Sequence, residues 1–101
     1  MMQRAIASIS NDPAFVSHCL QTFEFFERVM KELDENKTKL HYATMVYFTS
    51  YIHNYPYSAT SISKNLKCSA NGIRISGRRL LPLIGLKGVE QLKGIDLEKL
   101  M

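Results

Sequence analysis

The sequence predicts a single, mainly α-helical domain, and three observations support this fold class. The composition is that of an ordinary globular protein, with 46% hydrophobic and 22% charged residues, and 101 residues suffice for one core. Residues 12–36 repeat apolar side chains with the period of a helix. Residues 40–55 are apolar or aromatic almost throughout and lack the strict alternation of a strand, which favours a buried helix.

The first predicted helix spans residues 12–36. Asp12 lies at the N-cap position and Pro13 at the first helical position, which favours a helix start, and no breaker follows until Asn36. An apolar seam runs along this helix at spacings of three and four residues: Val16, Cys19, Phe23, Phe26, Met30 and Leu33.

The apolar face of this helix is wider than one small core requires. Phe15, Leu20, Phe25 and Val29 extend the seam on both sides. Two interpretations are open: the helix is half-buried in its own domain, or part of the face packs against a second copy of the chain in a homodimer.

The second predicted helix ends before Pro56, because a proline disfavours helical geometry at the residue that precedes it. Within it Met45, Phe48, Ile52 and Tyr55 follow one line, and Tyr47 and Tyr51 follow another. No sheet is predicted that could present these aromatic side chains to nucleic-acid bases. We therefore expect them in the core rather than on a stacking platform.

Charge divides the chain into two unequal parts. Residues 1–36 carry three basic and six acidic side chains, a net charge of −3, whereas residues 37–101 carry ten basic and three acidic ones, a net charge of +7. No Asp or Glu occurs from Asn36 through Val89. Such a basic region indicates an anionic partner, most often nucleic acid and less often a membrane surface, with a merely solvated face as the alternative.

Two short helices joined by a tight turn are predicted over residues 58–86. The first has three possible N-caps: Ser58, Thr60 and Ser61. Within it Ile62 and Leu66 point inward, while Lys64 and Lys67 point outward.

The second of these helices is predicted to run from Ser69, its N-cap, to Leu81. Its inward anchors are Ile73, Leu80 and Leu83. Its outward face holds Asn71, Arg74 and Arg78, flanked by Ile75 and Arg79, with the small Ser76 and Gly77 in the middle. A basic helix with a small surface suits the major groove, because Arg and Asn match guanine and adenine edges or phosphates.

The segment SISKNLKCSANGIRISGRRLLPLIGL resembles the helix-turn-helix core of winged-helix transcription regulators of the MarR-like kind. The residues that fit the family pattern are Thr60 or Ser61, Ile62, Ser63, Leu66, Ser69, Ile73, Leu80 and the Gly85-Leu86 pair. Lys67 stands where the family usually has a turn glycine. The match covers about a quarter of the chain. It implies a small winged-helix domain, a short β wing, and sequence-preferring binding of double-stranded DNA by a dimer that uses an N-terminal helix.

In this interpretation the second helix enters the major groove with Asn71, Arg74 and Arg78 directed towards bases or phosphates. The other candidate DNA-binding residues are Lys64, Lys67, Ser69, Arg79 and Lys87, of which the three lysines and the arginine hold the DNA backbone.

The last residues, KGVEQLKGIDLEKLM, leave two structures open. They form either a reduced wing that carries Lys87 or Lys93, or a closing C-terminal helix, for which Val89, Leu92 and Leu100 are suitably spaced.

A second resemblance concerns Leu81 to Leu92. LPLIGLKGVEQL is similar to the helix-hairpin-helix motif, which binds phosphates through backbone N–H groups without reading bases. The residues that agree are Leu81, Pro82, Ile84, Gly85, Lys87 and Leu92, while Leu83 replaces the first glycine of the motif.

Catalysis, cofactors and metals are not expected. No carboxylates are paired near the basic region, and the chain lacks a glycine-rich phosphate loop. Cys19 and Cys68 are far apart, and the three histidines never fall at a metal-ligand spacing.

The sequence therefore predicts a non-enzymatic, DNA-binding transcription regulator that acts as a dimer. No apolar run is long enough to span a bilayer, which predicts a cytoplasmic protein, associated with the nucleoid in a prokaryote. The main alternative is a protein-interaction module, either an adaptor or an inhibitor of an acidic partner protein, in which the apolar seam and the basic face both serve that partner.

Overall fold

The computed structural model describes residue 9 and residues 12–32 and 39–100, and this part of the chain is mainly α-helical. Between residues 12 and 100, the described ranges form four α-helices: α1 (Pro13–Glu32), α2 (Lys39–Ile52), α3 (Ala59–Leu66) and α4 (Ala70–Leu80). Three 3₁₀ turns complete the chain at Leu81–Ile84, Val89–Leu92 and Leu97–Leu100. The described residues contain no strand. The predicted end of the first helix, at residues 33–36, and the seam residue Leu33 lie outside the described residues.

Helix α2 lies at the centre of the fold, as its apolar composition predicts. Every residue from Ala43 to Ser50 is buried, and α1, α3, α4 and the second 3₁₀ turn all pack against it. The buried hydroxyl groups on α2 are satisfied locally. Those of Thr44 and Ser50 donate hydrogen bonds to backbone carbonyls one turn earlier, while the Thr49 hydroxyl lies 2.8 Å from the Thr22 hydroxyl of α1.

Helix α1 directs most of its wide apolar face into this same core. Its buried apolar side chains are Phe15, Cys19, Phe23, Phe25, Phe26 and Met30. Phe15 and Phe25, two of the residues that suggested a second copy, are thus covered by the chain itself. Leu20 and Val29 are half-buried and pack against the core. A homodimer through α1 remains a prediction that the partly exposed Leu20 and Val29 still allow.

The two short helices begin at the serines that the sequence proposes as caps. Ser58 and Ser61 form a reciprocal capping box: the Ser58 hydroxyl accepts from the Ser61 N–H, and the Ser61 hydroxyl accepts from the Ser58 N–H. The Ser69 hydroxyl accepts from the Gly72 N–H at the start of α4. A turn of three residues, from Lys67 to Ser69, therefore joins two capped helices, which is the connection expected for a helix-turn-helix.

The middle of α4 corrects the interpretation of Ser76 and Gly77. These small residues do not lie on the outward face, because both are buried with Ile73 and Leu80. A Cβ atom on Gly77 would lie 3.3 Å from Cε1 of Phe48, so the absence of a side chain lets α4 approach α2 closely.

Leu83 is a second correction, since it is 39% exposed and is not an inward anchor. Helix α4 ends at Leu80, and a 3₁₀ turn with Pro82 in its first half continues the chain. In this turn Leu81 is buried and Ile84 packs against the core, whereas Leu83 does neither.

The C-terminal segment forms neither of the two predicted structures within residues 87–100. A 3₁₀ turn at Val89–Leu92 packs against α2 and fully buries Leu92, and the last 3₁₀ turn contacts α1. Where the helix-hairpin-helix motif needs its second helix, the described chain has only this four-residue 3₁₀ turn. The closing segment thus serves mainly to cover the core.

Candidate nucleic-acid interface

Helix α4 has one buried side and one basic side. Its exposed residues are Asn71, Arg74, Ile75, Arg78 and Arg79. The buried residues recur every three or four positions, and α4 packs on both α2 and α3. The charged side chains on α4 are therefore held at one surface by a helix whose opposite side is fixed in the core.

The centre of the exposed side lies at Asn71, Ile75 and Arg78. With about 100° of rotation per residue, these three positions point away from the buried line. Arg74 and Arg79 lie on opposite flanks. Ile75 was expected on a flank, but it occupies the centre and is 49% exposed. Its spacing of four residues from Asn71 is the sequence signal that identifies this position.

The candidate residues Arg74, Arg78 and Lys87 come together along one flank of α4. They line a groove between this helix and the C-terminal segment, with Tyr47 and Leu81 among the other lining residues. One acid, Glu90, also lines this groove. The groove therefore brings together basic residues from α4 and from the loop that precedes the second 3₁₀ turn.

The remaining candidates lie elsewhere on the surface. Lys64, Lys67 and Ser69 are exposed on α3 and in the turn, and Arg79 is exposed on the other flank of α4. The Ser69 hydroxyl is engaged as the helix cap. Lys67 has a φ of 54°, in the left-handed region where the resembling family usually has glycine. This conformation costs a lysine roughly 1–2 kcal/mol relative to the right-handed region.

Tyr47 lies at the edge of the core, close enough to Arg74 for the charge of the arginine to affect its pKa. Burial first, and then the hydrogen bond to Tyr51 and the proximity of that second phenol, raise the pKa of Tyr47 to about 12, while the charge of Arg74 acts in the opposite direction. Tyr47 is therefore a neutral hydrogen-bonding group near Arg74 at physiological pH. This proximity could not be predicted from the sequence, because the two residues lie on different helices.

Cys19 and the pair His18 and His53 are titratable side chains that lie outside the basic side of α4. Burial raises the pKa of Cys19 to about 12, so its thiol is protonated and unreactive at neutral pH. The rings of His18 and His53 stack with their centroids 3.6 Å apart. Across the described residues, no three His, Cys, Asp or Glu side chains come together in a way that could hold a metal ion.

Comparison with known proteins adds no assignment. No family model matches the chain, and neither a curated protein nor a solved structure matches it. Among the helices of the described residues, none combines the length and the apolar character needed to cross a membrane. The function has to be inferred from the residues and contacts of the chain itself.

Proposed function

We propose that the chain is a DNA-binding regulator of the helix-turn-helix type, in which α4 enters the major groove of duplex DNA. One observation carries this proposal: α4 is anchored on one side by Ile73, Gly77 and Leu80 and exposes a basic side centred on Asn71 and Arg78. The capped, three-residue connection to α3 supports it, because a helix-turn-helix presents its second helix in this way.

The width of α4 and its exposed side chains both fit the major groove of DNA. An α-helix with its side chains is about 10–12 Å wide, and the major groove of B-DNA is about 12 Å wide. Arg78 suits a bidentate contact to guanine and Asn71 a contact to adenine, while the exposed Ile75 can pack on a thymine methyl group. The proposal thus gives the apolar residue at the centre of the basic face a role.

The flanking cations suit phosphate contacts. Arg74 and Arg79 lie on the two sides of α4, so that each can face one strand of the groove. The other cations proposed to hold the DNA backbone are Lys64, Lys67 and Lys87. The resemblance to winged-helix regulators implies a wing after Leu86, and we propose that Lys87 makes the equivalent backbone contact without a hairpin.

A dimer through α1 extends the proposal. Two copies of α4 about one turn of DNA apart would read a palindromic site. In this form the protein is a winged-helix-like regulator that acts in the cytoplasm, or on the nucleoid of a prokaryote.

The direct test measures fluorescence anisotropy of a labelled random-sequence duplex at low salt. Wild type is compared with the double variant Arg74→Gln/Arg78→Gln and with Arg28→Gln/Lys31→Gln, which removes the same charge from the exposed surface of α1. We expect the α4 variant to bind at least about tenfold more weakly, since each lost contact contributes about 1–3 kcal/mol.

The α1 variant serves as the control for net charge and should bind nearly as well as wild type. Circular dichroism melts establish that both variants remain folded. If the two variants lose affinity equally, or if wild type does not bind the duplex, the proposal is wrong.

One observation favours the protein-interaction alternative: Ile75 is a large apolar side chain exposed at the centre of the basic face. An acidic partner protein with an apolar contact point would fit this surface. Heparin or random duplex should displace nucleic acid from the face, whereas an adaptor would retain one stoichiometric polypeptide in their presence.

A further inference from the structure

A second groove lies beside the proposed DNA-binding face and shares Arg74 with it. Its principal lining residues are Tyr47, Tyr51, Tyr55, Tyr57, Arg74 and Lys93, and we call it the tyrosine groove. None of its described lining residues is acidic. It encloses about 360 Å³, within the range of about 300–1,000 Å³ typical of small-molecule sites.

Two of the four tyrosines are structural. Tyr47 is only 9% exposed and forms part of the groove floor. Tyr55 packs edge-on against Phe15, with the ring centroids 4.7 Å apart, and its hydroxyl lies 3.0 Å from Nδ1 of His18. The core therefore accounts for these two rings, as the sequence predicts for the aromatic side chains of this region.

Tyr51 and Tyr57 are half-buried, as Tyr55 is, and both line the groove. Tyr51 rests on Tyr47 in an edge-on contact with centroids 5.2 Å apart. Tyr57 rests on Phe15, with centroids 4.9 Å apart. The ring of Tyr57 also lies nearly parallel to that of Tyr55, with centroids 6.2 Å apart. Both Tyr51 and Tyr57 are thus supported by neighbouring rings and line the groove, which suits stacking on a planar partner.

The cations of the groove come from separate elements. Arg74 projects from α4, and Lys93 follows the second 3₁₀ turn; both are exposed. The position of Lys93 is fixed by its neighbour, since the Gly94 N–H donates a hydrogen bond to the carbonyl of Ile52 at the end of α2. Two cations and half-buried aromatic rings, with no carboxylate in the lining, complement a ligand that is both planar and anionic. The carboxylate of Asp12 acts on Tyr55 from outside the lining.

We propose that the tyrosine groove binds one nucleotide, with its base against Tyr51 or Tyr57 and its phosphate near Arg74 and Lys93. Such a combination of aromatic rings and cations is typical of sites for unpaired nucleic acid. The nucleotide comes either from an unpaired strand end of bound DNA or from a free mononucleotide. The first source rests on the proposed function, because Arg74 would then contact a strand already held by α4.

The test uses three probes at the same ionic strength: a labelled adenosine monophosphate, a blunt duplex, and the same duplex with a three-nucleotide single-stranded overhang. The groove variants are Lys93→Gln and Tyr51→Leu/Tyr57→Leu. Their matched controls are Lys31→Gln, which removes an exposed cation of α1, and Tyr42→Leu, which removes a half-buried tyrosine of α2 outside the groove.

We expect wild type and both controls to bind the mononucleotide, or to bind the overhang duplex at least about fivefold more tightly than the blunt one. Mononucleotide binding identifies a free nucleotide as the ligand, and a gain from the overhang identifies a strand end. Either effect should disappear in both groove variants, because one variant removes the rings on which the base stacks and the other removes a cation beside the phosphate. Lys93→Gln keeps the test decisive if the tyrosine variant does not fold.

Two results overturn the inference: folded wild type shows neither effect, or the groove variants retain whichever effect wild type shows. The blunt duplex separates this inference from the proposed function. If the blunt duplex binds wild type, but the mononucleotide does not bind and the overhang adds no affinity, only the inference fails. If it does not bind and the mononucleotide does, the inference stands and the proposed function fails.

Discussion

Helices α2 and α4 pack against each other, yet they use their surfaces in opposite ways. From Ala43 to Ser50, α2 is buried on every side. On α4 the buried residues form one line, and the rest of the helix is exposed and basic. The contact between Phe48 and Gly77 is the place where the two meet. One helix thus holds the core together, and the other uses that core to present charge.

The difference explains why the basic side chains of α4 all point to one side of the domain. A cationic side chain on an unanchored helix could face any direction, whereas Arg78 is fixed by the burial of Ile73, Gly77 and Leu80 on the opposite side. Substitutions on α2 should therefore change stability, and substitutions on the exposed side of α4 should change binding.

The largest expected effect is that of Phe48→Ala on stability. Phe48 is fully buried, and replacement of a buried phenylalanine by alanine costs about 3–5 kcal/mol. The matched change Ile75→Ala removes an exposed side chain and should alter the free energy of unfolding by about 0.5 kcal/mol or less. Urea denaturation of both variants measures the difference. Similar losses of stability would show that α4 has no exposed side.

The two glycines of α4 should respond in opposite directions. Gly77→Leu would force a side chain against Phe48 and Thr44, and overpacking of this kind costs about 1–3 kcal/mol. Gly72→Ala should stabilise the chain by up to about 1 kcal/mol, since alanine is the better helix former. The nearest atom from another helix to a new Cβ at Gly72 is the tip of Leu40, at 3.4 Å. Thermal melts of both variants test this, and a stable Gly77→Leu protein would contradict the close contact.

The smallest expected effect is a pH dependence of the free energy of unfolding, which arises at His53, away from the contact between α2 and α4. Burial and, second, the charge of His18 lower the pKa of His53 below its usual value of about 6.5. The unfolded chain therefore binds more protons, and the free energy of unfolding should fall as the pH drops below about 6.5. The groove that His53 lines also contains Glu24 and Arg28 of α1 and Asp96 of the C-terminal segment.

His18→Phe isolates the contribution of the histidine pair, because it keeps a ring in the stack and removes the second charge. Urea denaturation between pH 5 and pH 7 should show a smaller loss of stability at low pH in this variant than in wild type. An unchanged pH dependence would show that the stacked ring of His18 does not affect the titration of His53.

Much of the fold could be predicted because the local signals agree with the packing. The serine caps at Ser58 and Ser69, together with the inward Ile62 and Ile73, place both short helices within one or two residues of their observed bounds. The buried α2 follows from its apolar composition. These features depend on residues near one another in the chain.

The features that escaped prediction depend on tertiary contacts or on a change of helix type. Ser76 and Gly77 carry no hydrophobic signal, and only their contact with α2 reveals that they face inward. The exposure of Leu83 depends on how the turn at Leu81–Ile84 meets the core, since Leu81 is buried and Ile84 packs against the core while Leu83 does not. In the candidate site, the proximity of Tyr47 to Arg74 requires two helices that are distant in sequence to meet.

The most direct test of the central claim is the salt dependence of duplex binding by wild type and by Arg74→Gln/Arg78→Gln. Each phosphate contact contributes about 0.9 to the slope of log affinity against log salt concentration. We expect wild type to show a steep slope and the variant a slope shallower by about 1 to 2, while Arg28→Gln/Lys31→Gln keeps the wild-type slope. Equal slopes for all three proteins would contradict the assignment of the basic side of α4 to DNA.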